Sequence, residues 1–454
     1  MTLALTRPMD RPVDTVSLPR LRDNRLDFWR ALCLIDMVLV HLVYNGVNFG
    51  AIQRAVGEYT RFAAGGFVFI AGLSVGAIFL PRTKKPGGQK KVYASLLRRS
   101  LYILCVHFVA SFSFVCLDLM RGMRDDLPSI GKLISNVLLF REGGDLLPLY
   151  VIVIAFSPVA LELLRRGLWW VLAMISVAGF AWGSINPWVL SSPSHENFPV
   201  LLWQLMFVFG LLAGSALPWY TARSTRTKKI FALSAIAISL FLWAADFRSE
   251  LGWAWPVLPF GFTKTPLNVG EALRYFGLIL AILCTTDLLW AKIGQSRAVT
   301  ELCTIGRRSL MVYVVHVWIV GLLASLAWKI PSWGAWQMLL TTPALVSLWG
   351  IAKLWDWYEG WIEAARTSFG WASKWLPIPA GALASLIAFA VASVSVQPPP
   401  PSNIMATKLQ EDWQASIPEW PDSFDIGSPD SHLEIEAPDT APIDGMDPSD
   451  IISA

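Results

Sequence analysis

Apolar runs of about 20 residues recur along this chain, and that length constrains its fold more than any other feature. At 1.5 Å of rise per residue, such a run spans a hydrocarbon core about 30 Å thick. The runs fall at residues 27–45, 62–80, 95–117, 146–164, 168–186, 200–219, 229–246, 271–290, 309–328, 336–355 and 377–396. An unpaired backbone amide in lipid costs several kcal/mol, so each run satisfies its own backbone as a helix. The expected architecture is therefore all-α, a polytopic integral membrane bundle of about ten or eleven transmembrane helices. Composition agrees, because 15% of residues are charged where a soluble domain carries about 25%. Many of the 23 tryptophans (Trp169, Trp170, Trp219, Trp290, Trp328, Trp336, Trp355 and Trp357) sit at run ends. There an indole keeps its body in lipid and its N–H wet.

Charge asymmetry orients the bundle. With the N-terminus in the cytoplasm, 25 of the 37 lysines and arginines fall in inside segments or at the span ends beside them and 10 in outside ones, with Arg30 and Arg274 counted on neither side. Such an excess is what the positive-inside rule requires, so residues 1–26 form a cytoplasmic segment. No cleavable leader is expected, since the N-terminal stretch is polar. Residues 27–376 form the main transmembrane domain, and 377–396, rich in Ala and Ser, an additional span that decides the side of the tail. The tail, 397–454, opens on Pro398–Pro401 and continues acidic, a composition expected to stay disordered. The five cysteines show no metal-ligand spacing and act as small hydrophobes, so no metal is expected. No nucleic-acid motif is present, and the basic clusters read as loop anchors, Arg98 and Arg99 among them.

Ionisable residues inside spans are costly, and by default they mark function. The first span, RLDFWRALCLIDMVLVHLVYN, holds several. At about 100° per residue, Arg30 and His41 share a face with Asp27, whereas Asp36 points to the opposite side. Arg30 and His41 are separated by a rise of about 16 Å, which places Arg30 near the cytoplasmic end and His41 near the far side. The bland alternative is an interfacial Asp27–Arg30 salt bridge and a packed His41, with Asp36 paired to a cation on another helix. Tyr313 and His316 are three apart on one helix face toward the cytoplasmic third, and are candidates to line a pore. Glu271 and Arg274 have the same spacing and form either a salt bridge or contacts to an acceptor. His107, among aromatics, reads as a packing histidine, and His195 and His432 as solvated.

The opening RLDFWRALCLIDMVLVH, an arginine followed after ten residues by a histidine in the first span, resembles the acyltransferase type 3 superfamily and within it the OpgC family. Those are membrane succinyltransferases of periplasmic glucans. The second span, GGFVFIAGLSVGAIFL with Phe69 and Gly72, is similar to that family's aromatic-rich span. The ninth, IGRRSLMVYVVHVWIV, resembles its late helix through Ser309, Tyr313 and His316. The resemblance covers residues 20–375 and departs from the family at Ala31, where Gly is usual. It implies transfer of an acyl group from cytoplasmic acyl-CoA (succinyl-CoA or acetyl-CoA) to a hydroxyl of a periplasmic glucan or exported polysaccharide at the bacterial inner membrane. In that chemistry His41 is the general base that takes the hydroxyl proton. Arg30 holds a phosphate or pyrophosphate of CoA, and Asp27 orients Arg30. Ala63, Ala64, Gly65 and Gly66 would allow the second helix to approach the first closely. Two competing expectations are a carrier for a small anion or lipid-linked sugar, and a scaffold that recruits partners through its tail. The carrier is disfavoured by the lack of matching halves, the scaffold by the energetic cost of the polar stripe.

Overall fold

A computed structural model describes residues 23–52, 62–120, 131, 146–187, 198–250, 266–327, 330 and 333–369. The expected span 377–396, the tail 397–454 and residues 1–22 of the N-terminal segment lie outside them. Among the described residues there is no strand, and the main elements are eleven helices. These are α1 (Asn24–Tyr44), α2 (Phe62–Thr83), α3 (Gly88–Met120), α4 (Leu146–Arg165), α5 (Trp169–Ile185) and α6 (Val200–Thr221). They continue with α7 (Thr225–Glu250), α8 (Val269–Ile293), α9 (Arg297–Arg307), α10 (Ser309–Ala327) and α11 (Thr341–Phe369). The chain folds as an all-α polytopic bundle. Seven of these helices are long and apolar enough to cross a membrane, or eight if the bent pair α9–α10 counts as one span. Two expected spans fall short of that standard for visible reasons. α1 carries Asp27, Arg30 and Asp36, and α5 has only 17 residues.

Local chemistry sets the helix ends. Asp23 caps α1, its carboxylate accepting from the Arg25 amide at 3.0 Å, and Asn45 closes it by donating from Nδ2 to the His41 carbonyl at 2.7 Å. Asn268 and Ser296 cap α8 and α9 in the same way. The α2–α3 and α4–α5 turns use Gly87 and Gly167 at φ +64° and +76°, a region glycine enters without steric cost. α3 begins at Gly88, well before the expected span at 95, because helical hydrogen bonding need not stop where the apolar run does.

Glycines decide which helices touch. Gly72 and Gly76 of α2 meet Gly210 and Gly214 of α6, two four-residue repeats that interlock reciprocally. A Cβ on Gly72 would lie 2.0 Å from the Phe207 carbonyl oxygen, and one on Gly210 would lie 2.0 Å from that of Phe69. Each helix backbone thus occupies the space its partner's side chain would need. Gly66 does face α1, a Cβ there falling 2.7 Å from Cys33 Sγ, but Gly65 faces Tyr275 of α8. Around this centre, α5 and α7 turn Ile175, Trp182, Leu233, Leu240 and Phe241 outward, the pattern of a bundle solvated by lipid.

The stretch 292–308, read from sequence as a loop, contains α9. This helix lies along α1, with Cys303 Sγ donating to the Asn24 carbonyl at 3.4 Å and Gly306 so close that a Cβ would fall 1.6 Å from the Asp27 carbonyl oxygen. The chain then bends by 89° into α10. Arg308 holds the bend to α11, its Nε 2.6 Å from Asp356 and its Nη1 2.6 Å from Glu359.

Candidate active site

Arg30 is the polar centre of a cavity of about 790 Å³ bounded by α1, α2, α3, α4, α6, α9 and α10. Its Nη1 donates to Asp27 Oδ1 at 2.9 Å and its Nη2 to Ser74 Oγ at 2.6 Å. Asp27 is 1% exposed, so its charge requires that partner. Ser74 in turn donates to the Ile70 carbonyl at 2.7 Å. Immediately after Ser74, α2 widens into a π-helical stretch, Val75–Phe79, and Val75, Ala77, Ile78 and Phe79 join the wall. Such bulges recur at functional sites because they re-aim a helix face.

The same wall carries three exposed arginines, Arg82, Arg99 and Arg307. Against these and Arg30 stand the carboxylates Asp23 and Asp27, so the cavity is biased toward an anion. Arg99, expected to open a span as a loop anchor, instead lies within α3 and is part of the cavity. Tyr150 also lines it, and its buried hydroxyl has no hydrogen-bond partner among the described residues. A buried polar group in that condition on a cavity wall suits a ligand.

Tyr313 joins this cavity to a second polar centre. Its ring is on the cavity wall, T-shaped against Phe67, while its carbonyl accepts from His316 Nδ1. The His316 ring stacks on His41 with centroids 5.1 Å apart, and His316 Nε2 lies 3.1 Å from His41 Nδ1. His316 is fully buried. The polar stripe on α1 therefore divides, Asp27 and Arg30 facing the cavity and His41 facing α10. His316, expected toward the cytoplasmic third, and His41, expected near the far side, lie side by side. The reason is α9, which carries the chain along α1 before the bend, so α10 starts already inside the bundle.

The other predicted site residues lie elsewhere. Glu271 and Arg274 form a buried ion pair at 2.7 Å at the start of α8, and neither lines the cavity. Asp36 is buried and likewise is not on the wall. His107 is fully buried, its Nδ1 3.5 Å from Ser111 Oγ. No cluster of three or more metal-ligating residues occurs among the described residues. Ser74, Tyr150, Arg82 and Arg307 were not singled out from the sequence. Ser74, a hydroxyl inside an apolar span beside Gly72 and Gly76, carried a usable signal; the others take their meaning from the cavity alone.

This arrangement bears directly on ancestry, because its residues all fall within one matched stretch. The family model described as OpgC protein matches residues 22–360, most of the chain. The chain belongs to the OpgC family. That membership gives it a membrane acyltransferase-type function and a multi-pass membrane setting. No curated protein matches the chain. In this OpgC family member, the matched stretch takes in both Arg30 with its cavity and the His41–His316 pair.

Proposed function

We propose that the protein transfers an acyl group, succinyl or acetyl, from cytoplasmic acyl-CoA to a hydroxyl of a periplasmic glucan or other exported glycan at the bacterial inner membrane. The observation that carries this reading is the adjacency of a cationic cavity and a histidine pair, joined through Tyr313. The CoA phosphates sit among Arg30, Arg82, Arg99 and Arg307. Arg30 is held in place by Asp27 and Ser74, and a guanidinium offers phosphate a fork of donors. The acceptor hydroxyl approaches His41. As its oxygen forms the bond to the thioester carbonyl carbon, His41 takes the proton. The carbon–sulfur bond then breaks, and that proton goes to the departing thiolate. A positioned base contributes about 100- to 10,000-fold to such a step.

The test is deletion of the gene followed by mass spectrometry of the periplasmic glycans and complementation. Wild-type protein restores the acyl substituents and His41→Ala does not; full restoration by His41→Ala would remove His41 as the base. Photolabelling by an acyl-CoA analogue from the cytoplasmic side is expected to disappear in Arg30→Ala, and undiminished labelling would remove Arg30 from the donor site.

A further inference from the structure

We infer that His316 is a positioning residue, which fixes the ring tautomer of His41 so that Nε2 carries the basic lone pair. The inference rests on the reading of His41 as the base, and it follows from a chain of hydrogen bonds in which each member dictates the next. The Tyr313 carbonyl can only accept, so His316 Nδ1, which meets it, bears hydrogen. A neutral imidazole has one N–H, so His316 Nε2 is bare and can only accept. His41 Nδ1, 3.1 Å from that nitrogen, must then donate. In neutral His41 this leaves Nε2 without hydrogen, the nitrogen a base needs.

The geometry around the pair supports that assignment. His316 is completely buried and its ring is confined on one side by Tyr313, with centroids 5.3 Å apart, and on the other by the stacked His41 ring. Its Nδ1 contact is to a carbonyl in its own helix, three residues back, so turning the ring would forfeit a local bond as well as the one to His41. Burial of an unmade hydrogen bond costs about 1–3 kcal/mol, which opposes that turn. When His41 takes the acceptor proton on Nε2, its Nδ1–H remains in place and continues to donate to His316. No proton passes to His316, so its part is orientation and not transfer. A neutral ring here takes the place a carboxylate holds in a hydrolase triad, where wrong-tautomer variants keep their geometry and lose most of their rate.

Two measurements separate this inference from the base assignment. The first is nitrogen NMR of the intact protein in lipid nanodiscs, with labelled histidine and His41 assigned by the His41→Ala difference. The expected spectrum shows His41 protonated at Nδ1 and bare at Nε2, and in His316→Phe the proton moves to Nε2. A wild-type His41 protonated at Nε2 overturns the inference whatever the enzyme's activity. The second is steady-state transfer. His316→Phe is expected to lower kcat about 100-fold or more, the range of a positioned base, with KM for acyl-CoA unchanged. His316→Gln, whose amide oxygen can still accept from His41 Nδ1, is expected to recover at least 10-fold of that loss. Equal kcat in the wild type and His316→Phe, or no difference between the Phe and Gln variants, overturns it. If His41→Ala transfers at the wild-type rate, the base assignment fails, and the spectrum still reports whether His316 sets the ring.

Discussion

At the scale of single residues, the membrane interior makes every charge answer for its partner. Arg274 is 8% exposed and Glu271 1%, with the pair closed at 2.7 Å. Removing one member leaves the other charged in a low-dielectric interior, a loss of about 3–5 kcal/mol. Arg274→Leu is therefore expected to lower the thermal midpoint in detergent markedly, while Glu271→Gln with Arg274→Leu together recovers most of the loss. Arg30 differs in having a job on each fork, one nitrogen to Asp27 and one to Ser74. A lysine reaches one of these and cannot reproduce the fork. Arg30→Lys is expected to raise KM for the acyl-CoA about 10-fold, or about 1.4 kcal/mol of donor binding, with kcat nearly unchanged in a transfer assay. The Asp27–Arg30 contact was legible in the sequence because three residues on a helix is a contact distance. The His41–His316 bond was not, because no local periodicity joins positions 275 residues apart.

At the scale of helices, length and hydropathy predicted most elements, since crossing the hydrocarbon requires both. What they could not predict was partnership. The interlock of α2 with α6 was written in Gly72, Gly76, Gly210 and Gly214, but a four-residue glycine repeat does not name the helix it will meet. Some glycines let two backbones touch and others do not. Gly210→Ala places a methyl 2.0 Å from the Phe69 carbonyl oxygen and must push the helices apart. Overpacking of this kind costs about 1–3 kcal/mol or more. Gly350→Ala on α11 meets nothing within 4 Å and is expected to leave stability unchanged or slightly raised. Thermal unfolding of the two variants side by side checks this, and equal midpoints would deny that the α2–α6 contact is tight. α9 was missed as an element because its charged residues, Arg297, Glu301 and Arg307, read as a loop when only apolar runs are counted.

For the whole molecule, the same uneven distribution of lysine and arginine that orients the sequence also orients the cavity. Arg82, Arg99 and Arg307 come from the segments expected on the cytoplasmic side, and all three reach one cavity. A donor made in the cytoplasm would therefore meet positive charge first. The orientation itself is open to a direct experiment with single cysteines in a cysteine-free background. Lys85→Cys, in the α2–α3 turn, is expected to react with an impermeant maleimide only from the cytoplasmic face. Tyr44→Cys, at the end of α1, is expected to react from the periplasmic face; the reverse pattern would invert the bundle and detach the cavity from its proposed donor.

The 89° break after Arg307 sets one last condition on the chain. Everything that places His316 beside His41 is measured outward from that corner, which Arg308 pins to Asp356 and Glu359. One residue inserted between Arg308 and Ser309 would turn α10 by about 100° on its axis and carry the His316 ring to another side of the helix, with its composition and hydropathy untouched. An added residue in the turn at 84–87 leaves that angle alone. Counting residues from the corner to the histidine is therefore as strict a requirement as the identity of the histidine itself.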